Sequence, residues 1–246
     1  ARGKRNLKAF TINSTQLGKL EGGLDEKLGA IATCERLIPL LSRDFDTYKS
    51  DAVWLRRSVS RLYNKGCQSD PLFEKMARAY AEASPSADSY KFLAGILSKN
   101  GDESGAAQMR QKSFDLETDP FKKAKIKLSF AQNAKNAGQK SRARALAREA
   151  LSFNPNYGKA YLFIASLYAS SANSCGSDEF EKRMVYGAAL KMARQAQSVD
   201  PGSGAGRYIA SYRGNLPSKK LIFQKGVASG SSHRVGCWIG ETVRVP

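Results

Sequence analysis

The fold is decided by residues 124–157, which read AKIKLSFAQNAKNAGQKSRARALAREALSFNPNY. In the second half of this stretch, apolar side chains recur at i, i+3, i+4, i+7 and i+8, at Ala143, Leu146, Ala147, Ala150 and Leu151. This spacing places them on one face of a helix. Gly138 can end an earlier helix in the left-handed conformation. The stretch therefore predicts two helices that pack as a hairpin.

The same pattern recurs along the chain. Pro85, Pro120 and Pro155 are each 35 residues apart, and Pro201 follows 46 residues later. Small residues stand at matching places in the successive units: Ala94, Ala131 and Ala165, then Ala106, Ala143 and Ala189, then Ser113, Ala150 and Ala196. Small side chains let two helices approach closely. A generic four-helix bundle is the alternative, but a bundle would not keep this period.

This pattern resembles the tetratricopeptide repeat (TPR), a helical hairpin of about 34 residues with small residues at fixed positions and a proline near its end. The resemblance implies an all-α fold, a superhelix of helical hairpins (an α-α solenoid). We assign three units to residues 86–120, 121–155 and 156–201. The third unit contains an insertion near residues 171–181.

The flanking regions differ from the repeats. Residues 1–23 form a basic arm that we expect to be extended. Residues 24–85 form a divergent, TPR-like helical part, with a long helical pattern over 26–48 that Pro39 should kink. Residues 202–246 should provide a capping helix and then a tail, HRVGCWIGETVRVP, whose alternating pattern predicts a small β hairpin or an extended segment.

Composition excludes some classes of protein. Hydrophobic residues make up 41% of the chain, enough for a buried core, so wholesale disorder is not expected. No stretch approaches the roughly 20 apolar residues of a membrane span. The chain begins with Ala1 rather than Met, which suggests a processed, truncated or engineered start, and a removed signal peptide would leave no trace.

The chain is strongly basic, with 40 Lys and Arg against 22 Asp and Glu, a net charge of +18. Such a charge favours polyanionic partners such as nucleic acid or lipopolysaccharide. An ordinary solvated basic surface is the alternative. The excess is concentrated in the arm (Arg2, Lys4, Arg5, Lys8) and in a second basic block: Lys122, Lys123, Lys125, Lys127, Lys135, Lys140, Arg142, Arg144 and Arg148.

The four cysteines predict two disulfides. If the first two helices turn back near residues 49–51, Cys34 and Cys67 reach the same height along an antiparallel pair. Cys175 lies in the insertion of the third unit, near the end to which the tail with Cys237 returns. Four unpaired buried thiols are the alternative. Disulfides would indicate the periplasm or the cell exterior.

A closer resemblance supports export. GCQSDPLFEKMARAY (66–80), SSANSCGSDEFEKRMVY (170–186) and VGCWIGETVRV (235–245) are similar to exported TPR proteins of the Bacteroidetes cell envelope. The resemblance implies a periplasmic or outer-membrane-associated subunit of an envelope complex. It implies no chemistry.

We predict no enzyme, no cofactor and no metal site. Without a C-x-x-C pair and with His233 as the single histidine, a zinc site is not expected. His233 directly follows Ser231 and Ser232, and adjacent residues rarely form a nucleophile–base pair. No separated acid stands out to orient it. The glycines of PGSGAGRY (201–208) follow a helix rather than the strand that a dinucleotide site needs.

We expect the working surface to be the concave face formed by the first helix of each unit. The candidate residues there are Lys91, Lys99, Lys125, Gln132, Lys135, Asn136 and Lys159. Their charge favours an acidic or carboxylate-ended partner segment. The face partly resembles the carboxylate clamp of chaperone-binding TPR proteins. It departs from the clamp at two positions, where Gly95 stands in place of an Asn and Phe163 stands in place of a basic residue. The leading hypothesis is a non-enzymatic protein-binding scaffold, and polyanion binding is the alternative.

Overall fold

The computed structural model describes residues 32–246, which fall into two compact units divided between Leu116 and Glu117. The basic arm and the first residues of the helical pattern over 26–48 lie outside the described residues. Each unit is described by itself below.

The first unit consists of five helices within its described part. They are α1 (Cys34–Tyr48), α2 (Ala52–Asn64), α3 (Pro71–Ala83), α4 (Ala87–Lys99) and α5 (Glu103–Leu116). Their starts are fixed by the residues that precede them. The Asp51 carboxylate accepts hydrogen bonds from the first turn of α2, and Asp70 does the same for α3. Ser86 and Ser89 form a reciprocal capping box at α4.

The second unit repeats the hairpin pattern. Helix α6 (Pro120–Asn136) packs along α7 (Lys140–Phe153), and α8 (Gly158–Ala169) packs along α10 (Glu179–Val199). The predicted insertion forms the short helix α9 (Ala172–Cys175). A 3₁₀ turn (Pro201–Ser203) leads to α11 (Ala205–Gly214), which packs on α10, and α12 (Lys219–Gln224) follows.

The small residues of the repeat are buried where helices cross. The side chains of Ala131, Ala143, Ala150, Ala165 and Ala189 are completely inaccessible to solvent. Alanine at these points lets the two helices of a hairpin approach closely, as the sequence pattern predicted. Gly101 and Gly138 adopt positive φ angles of +83° and +75° between the paired helices, a conformation that favours glycine.

The tail forms the small β hairpin that the sequence predicted. Strand β1 (Ser232–Arg234) pairs antiparallel with β2 (Thr242–Arg244), and His233 lies opposite Val243. Val235, Ile239, Val243 and Val245 are buried in the same apolar core as α8 and α10. The tail is therefore an integral layer of the second unit.

Two disulfides are present, in the pairs expected from the sequence. Cys34–Cys67 joins the start of α1 to the loop after α2, with the Cα atoms 5.6 Å apart. Cys175–Cys237 joins α9 to the β hairpin, with a Cα separation of 5.2 Å. Each disulfide lies within one unit.

Between residues 32 and 246, no helix combines the length and the apolar character that crossing a bilayer requires.

Candidate functional site

The candidate site is a pocket of about 170 Å³ in the first unit. Three elements surround it: the end of α2, the start of α3 and one face of α4. Two of the predicted groove residues, Lys91 and Lys99, lie on its rim. The structure therefore brings these two lysines together at one concave feature.

An aromatic cluster forms the apolar part of the pocket. The ring of Phe92 meets the rings of Tyr63 and Phe73 edge-on, with centroid distances of 5.4 and 6.4 Å. Phe73 and Phe92 are buried, whereas Tyr63 is 48% exposed. Tyr63 therefore offers an aromatic surface that an incoming apolar group can cover.

Lys91 and Lys99 place positive charge beside this cluster. The Lys91 ammonium lies 3.4 Å from the Asp88 carboxylate and 5.1 Å from the centre of the Phe92 ring. The Lys99 ammonium donates to the carbonyl oxygen of Gln68, 3.2 Å away. Neither contact buries the lysine, so both retain donors for an anionic ligand.

Gly95 keeps the space between the two lysines open. It lies one turn after Lys91 and one turn before Lys99, on the same face of α4. A Cβ atom added at this position would have no atom within 4 Å. Glycine at this position, where the clamp pattern has Asn, therefore leaves space beside the aromatic cluster unfilled.

The loop that carries Gln68 is held in place by several local interactions. The Cys34–Cys67 disulfide fixes the residue directly before it. The Gln68 amide donates to the carbonyl of Tyr63 at 2.8 Å. On the other side, Asn100 donates to Glu74 of α3 at 3.0 Å and fixes the end of α4 beside Lys99. The pocket is therefore preorganised by contacts within the unit.

Glu74 is held as a charged acceptor in this arrangement. Hydrogen bonds from Arg78, and then from Asn100, lower the pKa of its carboxyl below the ordinary value. The Arg78 guanidinium lies 2.7 Å from the carboxylate, one helical turn away. Glu74 is therefore ionised at neutral pH and anchors α4 to α3.

The other predicted groove residues lie on α6 and α8 in the second unit. The Lys125 ammonium lies over the Phe121 ring at 4.3 Å, and Lys135 of α6 lies 5.9 Å from the Phe163 ring of α8. Gln132 donates to Asn136 at 2.9 Å, and Lys159 is exposed. The faces of α6 and α8 thus adjoin at Lys135 and Phe163.

Several cations of the second basic block bind within the protein. Lys127 pairs with Glu149 at 2.8 Å, and Lys140 donates to the Ser171 hydroxyl at 3.0 Å. Arg144 donates to the carbonyl of Ile239 and lies over the Trp238 ring, while Arg148 pairs with Glu241 at 2.7 Å. These four cations therefore help to hold the second unit together.

His233 has an acidic neighbour that sequence reasoning missed. Its Nε2 atom lies 3.1 Å from Glu181 of α10, and its ring meets Phe180 edge-on. The expectation that no separated acid orients this histidine was wrong, because Glu181 comes from a helix 52 residues earlier. The contact joins β1 to α10.

The aromatic members of the pocket were also missed. The groove residues were predicted from their positions within the repeat unit. Tyr63 and Phe73 belong to the divergent part before residue 86, where no repeat position could be assigned. The available signal was Tyr63 at the end of a predicted helix, four residues before Cys67. Across residues 32–246, no group of three or more His, Cys, Asp or Glu side chains is placed to hold a metal ion.

Comparisons with known proteins identify the fold. No family model matches the sequence, and no curated protein is similar to it. Among solved structures, the chain is similar to YrrB, described as a TPR protein with an unusual peptide-binding site. The TM-score is 0.53 and the identity 16%, over 78% of this chain and 88% of YrrB. A structure of MamA gives a TM-score of 0.51 at 15% identity, over 73% and 88% of the two chains. These likenesses show the fold.

Proposed function

We propose, from the tetratricopeptide-repeat fold of this chain, that it is an interaction scaffold that binds a segment of another protein in the pocket of its first unit. The observation that carries the proposal is the pairing of an aromatic cluster with Lys91 and Lys99 around the open position at Gly95. We propose recognition without a bond-making step.

The chemistry of the pocket defines the segment. An apolar side chain covers Tyr63 and fills the space above Gly95, and burial contributes about 25 cal/mol per Å² of apolar area. Carboxylates beside it meet Lys91 and Lys99, each exposed pair contributing roughly 0.5–1 kcal/mol. We therefore propose a partner segment with one apolar residue flanked by acidic residues or by a chain terminus.

The structural neighbour YrrB supports a peptide ligand, since it is itself described as having a peptide-binding site. For this chain, the preorganised walls of the pocket favour the same class of ligand. A small fixed pocket suits one anchoring side chain, and such anchors contribute most of the affinity in many interfaces.

We further propose that the chain works outside the cytoplasm, in the periplasm or at the outer membrane, as a subunit of an envelope complex. The support is the pair of disulfides, which persist in oxidising compartments. Material from the native host should contain both disulfides, which non-reducing mass spectrometry detects as mass differences on reduction.

Polyanion binding is the second candidate, favoured by the net charge of +18. Its strongest cluster, the second basic block, directs Lys127, Lys140, Arg144 and Arg148 into internal contacts. Replacement of Arg144 would therefore disturb the packing of Trp238 as well as the charge. A test of this candidate should use Lys122, Lys125, Lys135 and Arg142 instead.

A peptide-binding experiment tests the first proposal. The probes are fluorescent octapeptides with a single Leu, Phe or Met flanked by Glu, and a second set flanked by Lys. We expect the Glu set to bind and the Lys set not to bind. In the Lys91→Glu/Lys99→Glu variant, binding should weaken at least tenfold, because two attractions become repulsions.

The matched control is Lys49→Glu/Lys112→Glu, which changes the charge of the same unit by the same amount at exposed lysines outside the pocket. It should change the dissociation constant less than about twofold. A second variant, Gly95→Leu, fills the open position and should block the pocket without a change of charge. Equal loss in the control and pocket variants would contradict the proposal, as would binding of the Lys set.

A further inference from the structure

A second groove, separate from the pocket of the proposed function, lies within the second unit between α10 and strand β2. Its volume is about 760 Å³, within the range of ligand sites. Leu190, Leu216 and Val245 supply apolar walls, and Arg194, Gln195 and Arg244 supply polar ones. The consecutive residues 242–246 all line the groove, so a segment that follows β2 would lie along it.

One edge of β2 is free of pairing with β1. On either side of β2, the amide of Val245 donates to Ser231 and the carbonyl of Glu241 accepts from Val235. The odd-numbered positions 241, 243 and 245 therefore direct their backbone groups towards β1. Backbone groups alternate between the two edges of a strand. Thr242 and Arg244 therefore direct theirs away from β1. The Thr242 carbonyl confirms this direction, because the Lys191 ammonium of α10 reaches it at 3.5 Å.

The groove is basic. Arg194 is exposed on α10 and Arg244 is exposed on β2. Lys191, also on the wall, pairs with Glu241 at 3.0 Å. The carboxylate of Glu241 is already bound by Arg148, Tyr168 and Lys191, so it does not neutralise the other cations. An acidic occupant is favoured.

We propose that this groove binds an extended acidic segment of a partner protein, which adds to the free edge of β2 as a third strand. Its backbone exchanges hydrogen bonds with Thr242 and Arg244, as in other cases of strand addition. Alternate side chains point to the two faces of a strand, so apolar residues meet Leu190 and Leu216 on the α10 side while acidic ones lie on the side of Arg244. Arg194, one helical turn after Leu190, adds its charge on the α10 side. The preferred segment alternates acidic and apolar residues.

Charge selects this occupant over the protein itself. The whole chain has a charge of +18. A second copy is therefore disfavoured at a basic groove.

The test uses the full chain and a labelled octapeptide of alternating Glu and Val, with fluorescence anisotropy as the readout. Three further peptides serve as comparisons: alternating Lys and Val, the Glu–Val peptide with alternate amides N-methylated, and the octapeptide that binds best at the first-unit pocket. The Glu–Val peptide should bind, and N-methylation should weaken binding about tenfold because donors of the third strand are lost.

Variants of the protein separate the backbone from the charge. Arg244→Gln keeps the outward amide and loses the charge, whereas Arg244→Pro loses both. Since proline is tolerated where a strand amide points away from its partner, the hairpin should persist. Arg244→Pro should bind about fivefold more weakly than Arg244→Gln. Arg194→Glu should weaken binding about fivefold, and Lys219→Glu, an equal charge change on α12, less than twofold.

Retention of the Cys175–Cys237 disulfide and of the thermal unfolding midpoint verifies that each variant is folded. If Arg244→Pro fails to fold, the N-methylated peptide still decides whether backbone pairing occurs. The proposal would be overturned if the N-methylated or the Lys–Val peptide bound as tightly as the Glu–Val peptide. It would also be overturned if the Glu–Val peptide did not bind at concentrations up to about 1 mM. Because the Glu–Val peptide also carries apolar residues flanked by acidic ones, its binding is measured in the Lys91→Glu/Lys99→Glu background. The first-unit pocket is disabled there, so the binding that remains belongs to the groove.

Discussion

At the scale of single residues, Glu241 connects the tail to three helices. Its carboxylate accepts from Arg148 of α7 at 2.7 Å, from the Tyr168 hydroxyl of α8 at 3.1 Å, and from Lys191 of α10 at 3.0 Å. Its side chain is 12% exposed. Removing the charge of Glu241 would leave these donors without their common acceptor.

The pKa of Glu241 is the outcome of opposing effects. Burial acts to raise it, but the hydrogen bond and charge of Lys191, followed by the Tyr168 hydroxyl and the charge of Arg148, lower it below the ordinary value. Because the folded-state pKa is depressed, the contribution of Glu241 to stability is full above the unfolded-state pKa. It is lost as pH falls through the lower, folded-state value.

We therefore predict that Glu241→Gln lowers the free energy of unfolding by about 2 kcal/mol at neutral pH, since hydrogen bonds to charged groups are lost. The difference from the wild type should shrink as the pH falls below about 4, where the wild-type carboxyl also becomes protonated. Urea unfolding at a series of pH values measures both effects.

Glu149→Gln is the matched control. Glu149 pairs with Lys127 in the same unit, but its side chain is 50% exposed, so solvent screens the pair. Its loss should cost less than about 1 kcal/mol. Equal costs for the two variants, or a Glu241→Gln deficit independent of pH, would show that Glu241 does not act through its charge.

At the scale of elements, the C-terminal tail depends on the Cys175–Cys237 disulfide. This bond closes a loop with a sequence separation of 62 residues. In the chain-entropy account, a loop of this size restricts the unfolded chain substantially. We predict that Cys175→Ser/Cys237→Ser lowers the free energy of unfolding by roughly 2–4 kcal/mol.

Trp238 reports on this element, because its ring contacts Tyr168 at a centroid distance of 5.7 Å and lies under the Arg144 guanidinium in the second unit. In a Trp54→Phe background it is the sole tryptophan, since the chain contains two. Its fluorescence transition in urea should move to lower urea in the double variant, and trypsin should cleave faster at Arg234 and Arg244. The Cys34→Ser/Cys67→Ser variant is the control. Tail cleavage that accelerates equally in both variants would contradict the assignment.

The helical hairpins could be predicted from the sequence because their determinants are local. Buried alanines such as Ala131 and Ala143 recur at a fixed period, and glycines such as Gly138 mark the turns. The β hairpin followed from alternation in the tail. These features need only neighbours along the chain to be recognised.

The contacts that dock the tail could not be predicted, because they join residues far apart in the sequence. Arg144 and Ile239 are 95 residues apart, and Tyr168 and Glu241 are 73 apart. For the candidate site, the repeat numbering gave Lys91 and Lys99, but the aromatic wall came from Tyr63, in a part of the chain where the repeat is not recognisable. Such partners are selected by packing rather than by pattern.

At the scale of the whole molecule, the net charge of +18 acts on every partner. It attracts anions over about 8 Å at physiological salt, and salt screens it beyond that distance. Binding that depends on the overall charge should therefore differ from binding that depends on a shaped pocket.

Salt separates the two proposed functions. If the scaffold function is correct, the best octapeptide should lose less than about fivefold in affinity between about 50 and 200 mM salt, because burial against Tyr63 is insensitive to screening. A labelled DNA duplex, held by about four cations such as Lys122, Lys125, Lys135 and Arg142, should lose on the order of 100-fold over the same range. Fluorescence anisotropy measures both. The polyanion function would be favoured over the scaffold by three results together. The duplex would bind more tightly than roughly 1 μM at the higher salt, reversal of those four charges would abolish that binding, and no acidic peptide would bind.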